Sequence, residues 1–106
     1  MILDKQVALE RIEYDQELYD EICGIFRDDV PQIMAQLKEA FNVGDIPVAT
    51  RSAHSLKSAA ANIGATRLYE TAKLAESALR AGELANINTL IAEIDQNLLR
   101  VMEVLA

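Results

Sequence analysis

His54 is the one histidine among 106 residues, so imidazole chemistry in this chain has a single address. A neutral imidazole nitrogen is a nucleophile near pH 7, because the ordinary pKa of an exposed ring is about 6.5. Lys57 stands at i+3 from it, one helical turn away, where an ammonium can neutralise a phosphoryl group carried on the ring. Arg51, at i−3, can add positive field from the other side. Ser58 and Ala61, at i+4 and i+7, continue the same face with small side chains, where exposed helices usually carry Glu, Lys, Gln or Arg. Such a patch leaves the ring open to another macromolecule. Each residue alone has a plainer reading: a surface histidine, a solvated lysine, alanines that are simply good helix formers. The coincidence of histidine, i+3 lysine and a small i+4 residue favours chemistry.

Other chemistries find less support. Cys23 is the only cysteine, so no internal disulfide and no cysteine-based zinc site can form; it reads as a small packing residue. A di-metal carboxylate bundle needs Glu-x-x-His pairs, and the residue three before His54 is Arg51, so no metal site is expected. The four glycines are scattered, with no phosphate-cradling loop for ATP. Tyr14, Tyr19 and Tyr69 are expected to pack with their hydroxyls reaching solvent.

The elements that must hold His54 are helical. Ala, Leu, Glu, Lys, Gln and Arg dominate, with two prolines and four glycines. A short lead-in is expected over Asp4 to Arg11. A long helix follows from about Asp15 to Asn42, with Leu18, Ile22, Phe26, Val30, Ile33, Leu37 and Phe41 on its inner face and Pro31 as a kink or a lost hydrogen bond. Gly44 and Asp45 mark a stop and a new N-cap. The next helix runs from about Ile46 to Ile63 on a stripe of Ala49, Ala53, Leu56, Ala60 and Ile63, and Gly64 ends it as a left-handed residue. His54 falls roughly 140° from that stripe at about 100° per residue. It is therefore expected on the outward flank. Ala65 would prolong the small-residue row only if the helix continued. Thr66 is the expected cap of a fourth helix with Leu68, Ala72, Ala75 and Leu79 inside and Gly82 at its end. The last helix starts between Glu83 and Asn86 and buries Ile87, Leu90, Ile91, Ile94, Leu98, Val101 and Leu105. Connections this short favour antiparallel neighbours. The expected fold is thus all-α, an antiparallel up-down four-helix bundle with a short N-terminal helix.

Length and composition agree with one domain over residues 1–106, with 51% apolar and 25% charged residues. The net charge of −7 lacks the basic footprint of a nucleic-acid binder and would be repelled by an anionic membrane. No run without a charge exceeds nine residues, as from Ser58 to Thr66, too short to span a bilayer. The opening MILDKQVALERIE has charges where a signal peptide needs an apolar core, so a cytoplasmic protein is expected.

The segment AHSLKSAAANIGA, from Ala53 to Ala65, resembles the signature of histidine-containing phosphotransfer domains. That signature has a histidine, Leu-Lys at the second and third positions after it, a small Gly or Ser next, and a glycine ten positions on. His54, Leu56, Lys57, Ser58 and Gly64 match it in turn. Many members carry glycine where this chain has Ser58, which remains small. The DDVP segment at Asp28 to Pro31, the NVGD turn at Asn42 to Asp45 and the LRAGE turn at Leu79 to Glu83 are similar to the family as well. The resemblance implies that His54 accepts a phosphoryl group from the aspartyl phosphate of a response-regulator receiver domain and passes it to another receiver. Lys57 would stabilise the phosphoryl group, Ser58, Ala61 and Arg51 would serve docking and access, and Gly64 would be structural. The chain itself would need no cofactor, the Mg²⁺ and carboxylates belonging to the receiver. A hybrid histidine kinase is a further partner to consider, and a monomer is expected. Two rivals stand beside this reading: a helical interaction module that takes no phosphate, and the phosphoacceptor domain of a chemotaxis-type kinase, phosphorylated directly by an ATP-bound kinase domain.

Overall fold

Three aspartates start three of the helices. Asp4, Asp15 and Asp45 each accept the backbone N–H three residues on, from Val7, Leu18 and Val48, at 3.3, 3.0 and 3.2 Å. Each fills one of the donors that a helix start leaves unpaired. The computed structural model describes residues 2–105, which form α1 (Lys5–Arg11), α2 (Gln16–Asn42), α3 (Ile46–Ile63), α4 (Thr66–Ala81) and α5 (Ile87–Leu105).

Residues 43–45, 64–65 and 82–86 link the four long helices. Linkers this short return the chain beside the helix it has just left, so successive helices run antiparallel. Helix α3 packs closely on α2 and α4, α4 on α5, and α5 touches α2 more loosely to close the ring, while the diagonal pairs stay apart. This is an up-down four-helix bundle, with α1 laid against α3 and α2 at one end. No helix among the described residues is long and apolar enough to cross a membrane.

The α3 stripe lies where its spacing places it: Ala49, Ala53, Leu56, Ala60 and Ile63 are all fully buried. On α4, Leu68, Ala72, Ala75 and Leu79 face inward. Alanines on both sides of the α3–α4 seam allow the axes a close approach, toward the low end of the usual spacing of about 8–10 Å. That seam carries the site.

Elsewhere the expectations need correction. On α2 the buried line is Tyr19, Cys23, Phe26, Val30, Met34, Leu37 and Ala40. Leu18 and Ile25 are exposed, and Ile22, Ile33 and Phe41 are half-buried. Phe26, Val30 and Leu37 lie inside as expected, while the other positions give way to their neighbours Tyr19, Cys23, Met34 and Ala40, because α2 packs against α3 on one flank and α5 on the other. Ile22 and Ile33 therefore border the groove beside Ala59 and Asn62 instead of pointing at the axis. Helix α2 continues through the exposed Pro31. On α5, Ile87, Ile91, Ile94, Leu98 and Val101 are buried, whereas Leu90 and Leu105 are half-buried.

Thr66 is not the cap of α4. Ala65 occupies that position and makes no side-chain cap bond, while the Thr66 hydroxyl donates back to the Gly64 carbonyl at 3.3 Å. The preceding turn governs here. Gly64 adopts φ 78°, the Ala65 N–H donates to Ala60 at 2.9 Å, and Ala65 is carried into the core. The α3 row of small residues thus stops before Ala65. Tyr19 is a further correction. It is buried, and its hydroxyl donates to the Ile63 carbonyl at 2.8 Å instead of reaching water. Tyr14 is exposed and Tyr69 half-buried.

Tyr19 belongs to a group that closes the C-terminal end of α3. Arg11 Nη1 donates to the Ala61 carbonyl at 3.0 Å, and the Asp4 backbone N–H donates to that of Gly64 at 2.7 Å. Carbonyls that a helix end would leave without partners are met by the N-terminal part of the chain.

Candidate functional site

Helix α3 presents His54 outward, with the side chain 53% exposed. The ring nevertheless has one buried contact. Its Nδ1 lies 2.7 Å from Oε2 of Glu76, a carboxylate on α4 that is only 6% exposed. The same carboxylate receives Lys57 Nζ on Oε1 at 2.6 Å and Arg80 Nη2 on Oε2 at 2.9 Å. Three side chains from two helices thus share one acid.

Burial alone would raise the Glu76 pKa, but the hydrogen bonds from Lys57, Arg80 and His54 outweigh it and draw the group down from 4.5 to about 2. Glu76 is therefore ionised at neutral pH. An ionised carboxylate can only accept hydrogen bonds, so the nitrogen facing it must donate. In the neutral ring the proton then resides on Nδ1, and the lone pair is on Nε2. No described residue hydrogen-bonds to Nε2, which leaves the nucleophilic nitrogen free on the half-exposed ring. A lone pair held in one position by a buried anion is equipped to attack an electrophile delivered from solvent.

The remaining expected site residues are placed as follows. Ser58 is exposed one turn beyond His54, and Arg51 is exposed one turn before it, with no ion pair among the described residues. Ala61 is half-buried beside a groove shared with Val7, Arg11 and Tyr69. Gly64 is buried ten residues from His54 and shapes the end of α3; a Cβ there would run into the Asp4 carbonyl. Lys57 is not the solvated lysine of the plainer reading. It is half-buried, its side chain 24% exposed, and already paired with Glu76. A charge in contact with an opposite one is not a freely solvated lysine, and its loss would be felt by the fold as well as by a bound anion.

Glu76 and Arg80 lie outside the residues singled out by motif and spacing. A signal for Glu76 was present: it stands four residues after Ala72 and next to Ala75, at the edge of the inward sector of α4. Carboxylates are almost never buried there unless paired. Arg80, at i+4 from it, is oriented as a favourable acid-to-base pair. The contact with His54 bridges 22 residues of sequence, and no local spacing rule spans that distance.

A family model described as the Hpt domain matches residues 21–103, which include all four members of the cluster. No curated protein sequence matches the chain. Among solved structures, the crystal structure of histidine-containing phosphotransfer protein B (HptB) from Pseudomonas aeruginosa PAO1 is similar, with a TM-score of 0.89 and 27% identity over 98% of this chain and 90% of that one. With a family match over most of its length and a fold shared with that phosphotransfer protein, the chain belongs to the Hpt domain family.

Proposed function

We propose that this chain is a phosphorelay intermediate, in which His54 Nε2 takes a phosphoryl group from the aspartyl phosphate of a receiver domain and yields it to a second receiver. The supporting observation is the buried Glu76 on Nδ1. As Nε2 attacks phosphorus, a P–N bond forms and the bond from phosphorus to the aspartyl oxygen breaks. The partner's carboxylate departs with that electron pair. The ring keeps its Nδ1 proton and gains positive charge, which Glu76 opposes from 2.7 Å. Lys57 and Arg80 stand beside the ring on the same carboxylate and supply cationic donors for the phosphoryl oxygens. Donation to the second receiver reverses these steps, with neutral imidazole as the leaving group. The Mg²⁺ and the carboxylates that hold it are assigned to the receiver.

The test uses a purified receiver domain phosphorylated with acetyl phosphate, mixed with this chain while the label is followed. Acid-labile phosphohistidine should appear on the chain, and His54→Gln should abolish it. Nuclear magnetic resonance of the product should show phosphorus on Nε2. Phosphorus on Nδ1 would overturn the role of Glu76. No label from any receiver would leave the interaction-module reading standing, and label acquired from an ATP-bound kinase domain alone would favour the chemotaxis-type acceptor.

A further inference from the structure

The chain is acidic overall, yet its charge is segregated. Residues 46–81, which make α3 and α4, hold five bases (Arg51, Lys57, Arg67, Lys73 and Arg80) against two acids, Glu70 and Glu76. The rest of the chain holds five bases against fifteen acids. Glu17, Asp20, Glu21, Asp28, Asp29 and Glu39 are exposed along α2, as are Glu93 and Glu103 on α5. A net charge of −7 therefore conceals a basic face on an otherwise acidic cylinder.

The position of the bases around His54 gives this asymmetry meaning. Arg51 is exposed one turn before His54 on α3. On α4, Lys73 and Arg80 flank Glu76 at i−3 and i+4 and are both exposed, so they lie on the side of α4 that meets α3. Of the two acids on α4, Glu76 is buried and already paired, and Glu70 is exposed farther from the ring, in the groove beside Ala61 and Thr66. The charge shown to solvent beside the imidazole is thus positive on both sides. Arg67 is different. It lies one turn before Thr71, whose hydroxyl accepts from Asn97 of α5 at 3.0 Å, and so belongs to the opposite flank of α4.

Resting on the phosphotransfer reading above, we propose that Arg51, Lys73 and Arg80 form an electrostatic collar that steers the acidic, phosphoryl-bearing surface of a receiver onto His54, while the acidic α2 and α5 faces turn it away elsewhere. Screening extends about 10 Å at 0.1 M salt, half the 20–21 Å width of the bundle. An approaching anion near His54 therefore senses the local collar more than the net charge. Local fields of this kind raise association rates by about 10- to 1,000-fold.

The experiment reads association separately from chemistry. A fluorescent receiver domain phosphorylated with acetyl phosphate is mixed by stopped flow with His54→Gln protein, which docks without accepting the group, and the association rate is measured at 50 and 500 mM NaCl. Adding Arg51→Glu and Lys73→Glu together should slow association by about tenfold at 50 mM and by much less at 500 mM. Arg67→Glu, which shifts the net charge but lies off the face, should stay within about twofold of its parent. Circular dichroism checks that these exposed substitutions leave the helices formed. Parental association by the double variant, or equal slowing by Arg67→Glu, would overturn the collar. Labelling of His54 in the unaltered chain would show in either case whether the phosphotransfer reading holds by itself.

Discussion

Lys57, paired with Glu76, would serve the fold and the proposed transfer alike, and the consequence can be measured. Lys57→Ala should slow phosphoryl transfer by roughly tenfold to a hundredfold, since a charge-assisted contact to a phosphoryl group contributes about 1.5–3 kcal/mol. It should also cost about 1–2 kcal/mol of stability, because Glu76 loses a partner that it holds at 2.6 Å. A denaturation curve beside the transfer time course checks both, and an unchanged midpoint would mean that the pair contributes nothing to folding. Lys57→Arg should recover part of each effect. Glu76 adds a pH signature. Its folded pKa is depressed from 4.5 to about 2, so its contribution is complete above about pH 4.5 and disappears as pH falls through 2. The stability gap between the parent and Glu76→Gln should accordingly close as pH falls from about 4.5 through 2. A gap that widens in acid would contradict the depressed pKa. Histidine and lysine were legible because helical spacing places them on one face; the acid that organises them was not, since only the α3–α4 packing brings residue 76 to residue 54.

Legibility also differs between helices. For α3 the caps, length and buried stripe follow from local rules, because one side of the helix is uniformly buried and Asp45 and Gly64 bound it. For α2 the apolar pattern is wider than one line, and bulky Leu18, Ile25 and Ile33 compete with Tyr19, Cys23 and Met34 for the inner face. Packing against two neighbours decides in favour of the second set. Met34→Ala should therefore cost about 2–5 kcal/mol, whereas Ile25→Ser, at a position 60% exposed, should stay within about 0.5 kcal/mol. Thermal or denaturant unfolding of the two variants tells the faces apart. Equal losses would mean that the buried face of α2 reaches Ile25 as well.

At the scale of the molecule, segments distant in sequence meet at one end of the bundle, where Asp4, Arg11 and Tyr19 supply donors to the final carbonyls of α3. Tyr19→Phe removes one of them and should cost about 1 kcal/mol. No local pattern announces this closure, because each donor is at least 44 residues from the carbonyl it meets. A helix tied at its exit, begun by Asp45 and packed on both flanks has few routes to partial opening. Native-state amide exchange should show the α3 interior opening only with the whole domain, and α1, with a single buried residue, opening far sooner. On that expectation the imidazole is mounted on the part of the molecule that opens last. Phosphoryl traffic through it would then be set by which partners arrive and how often, with no change of shape in the domain to gate it.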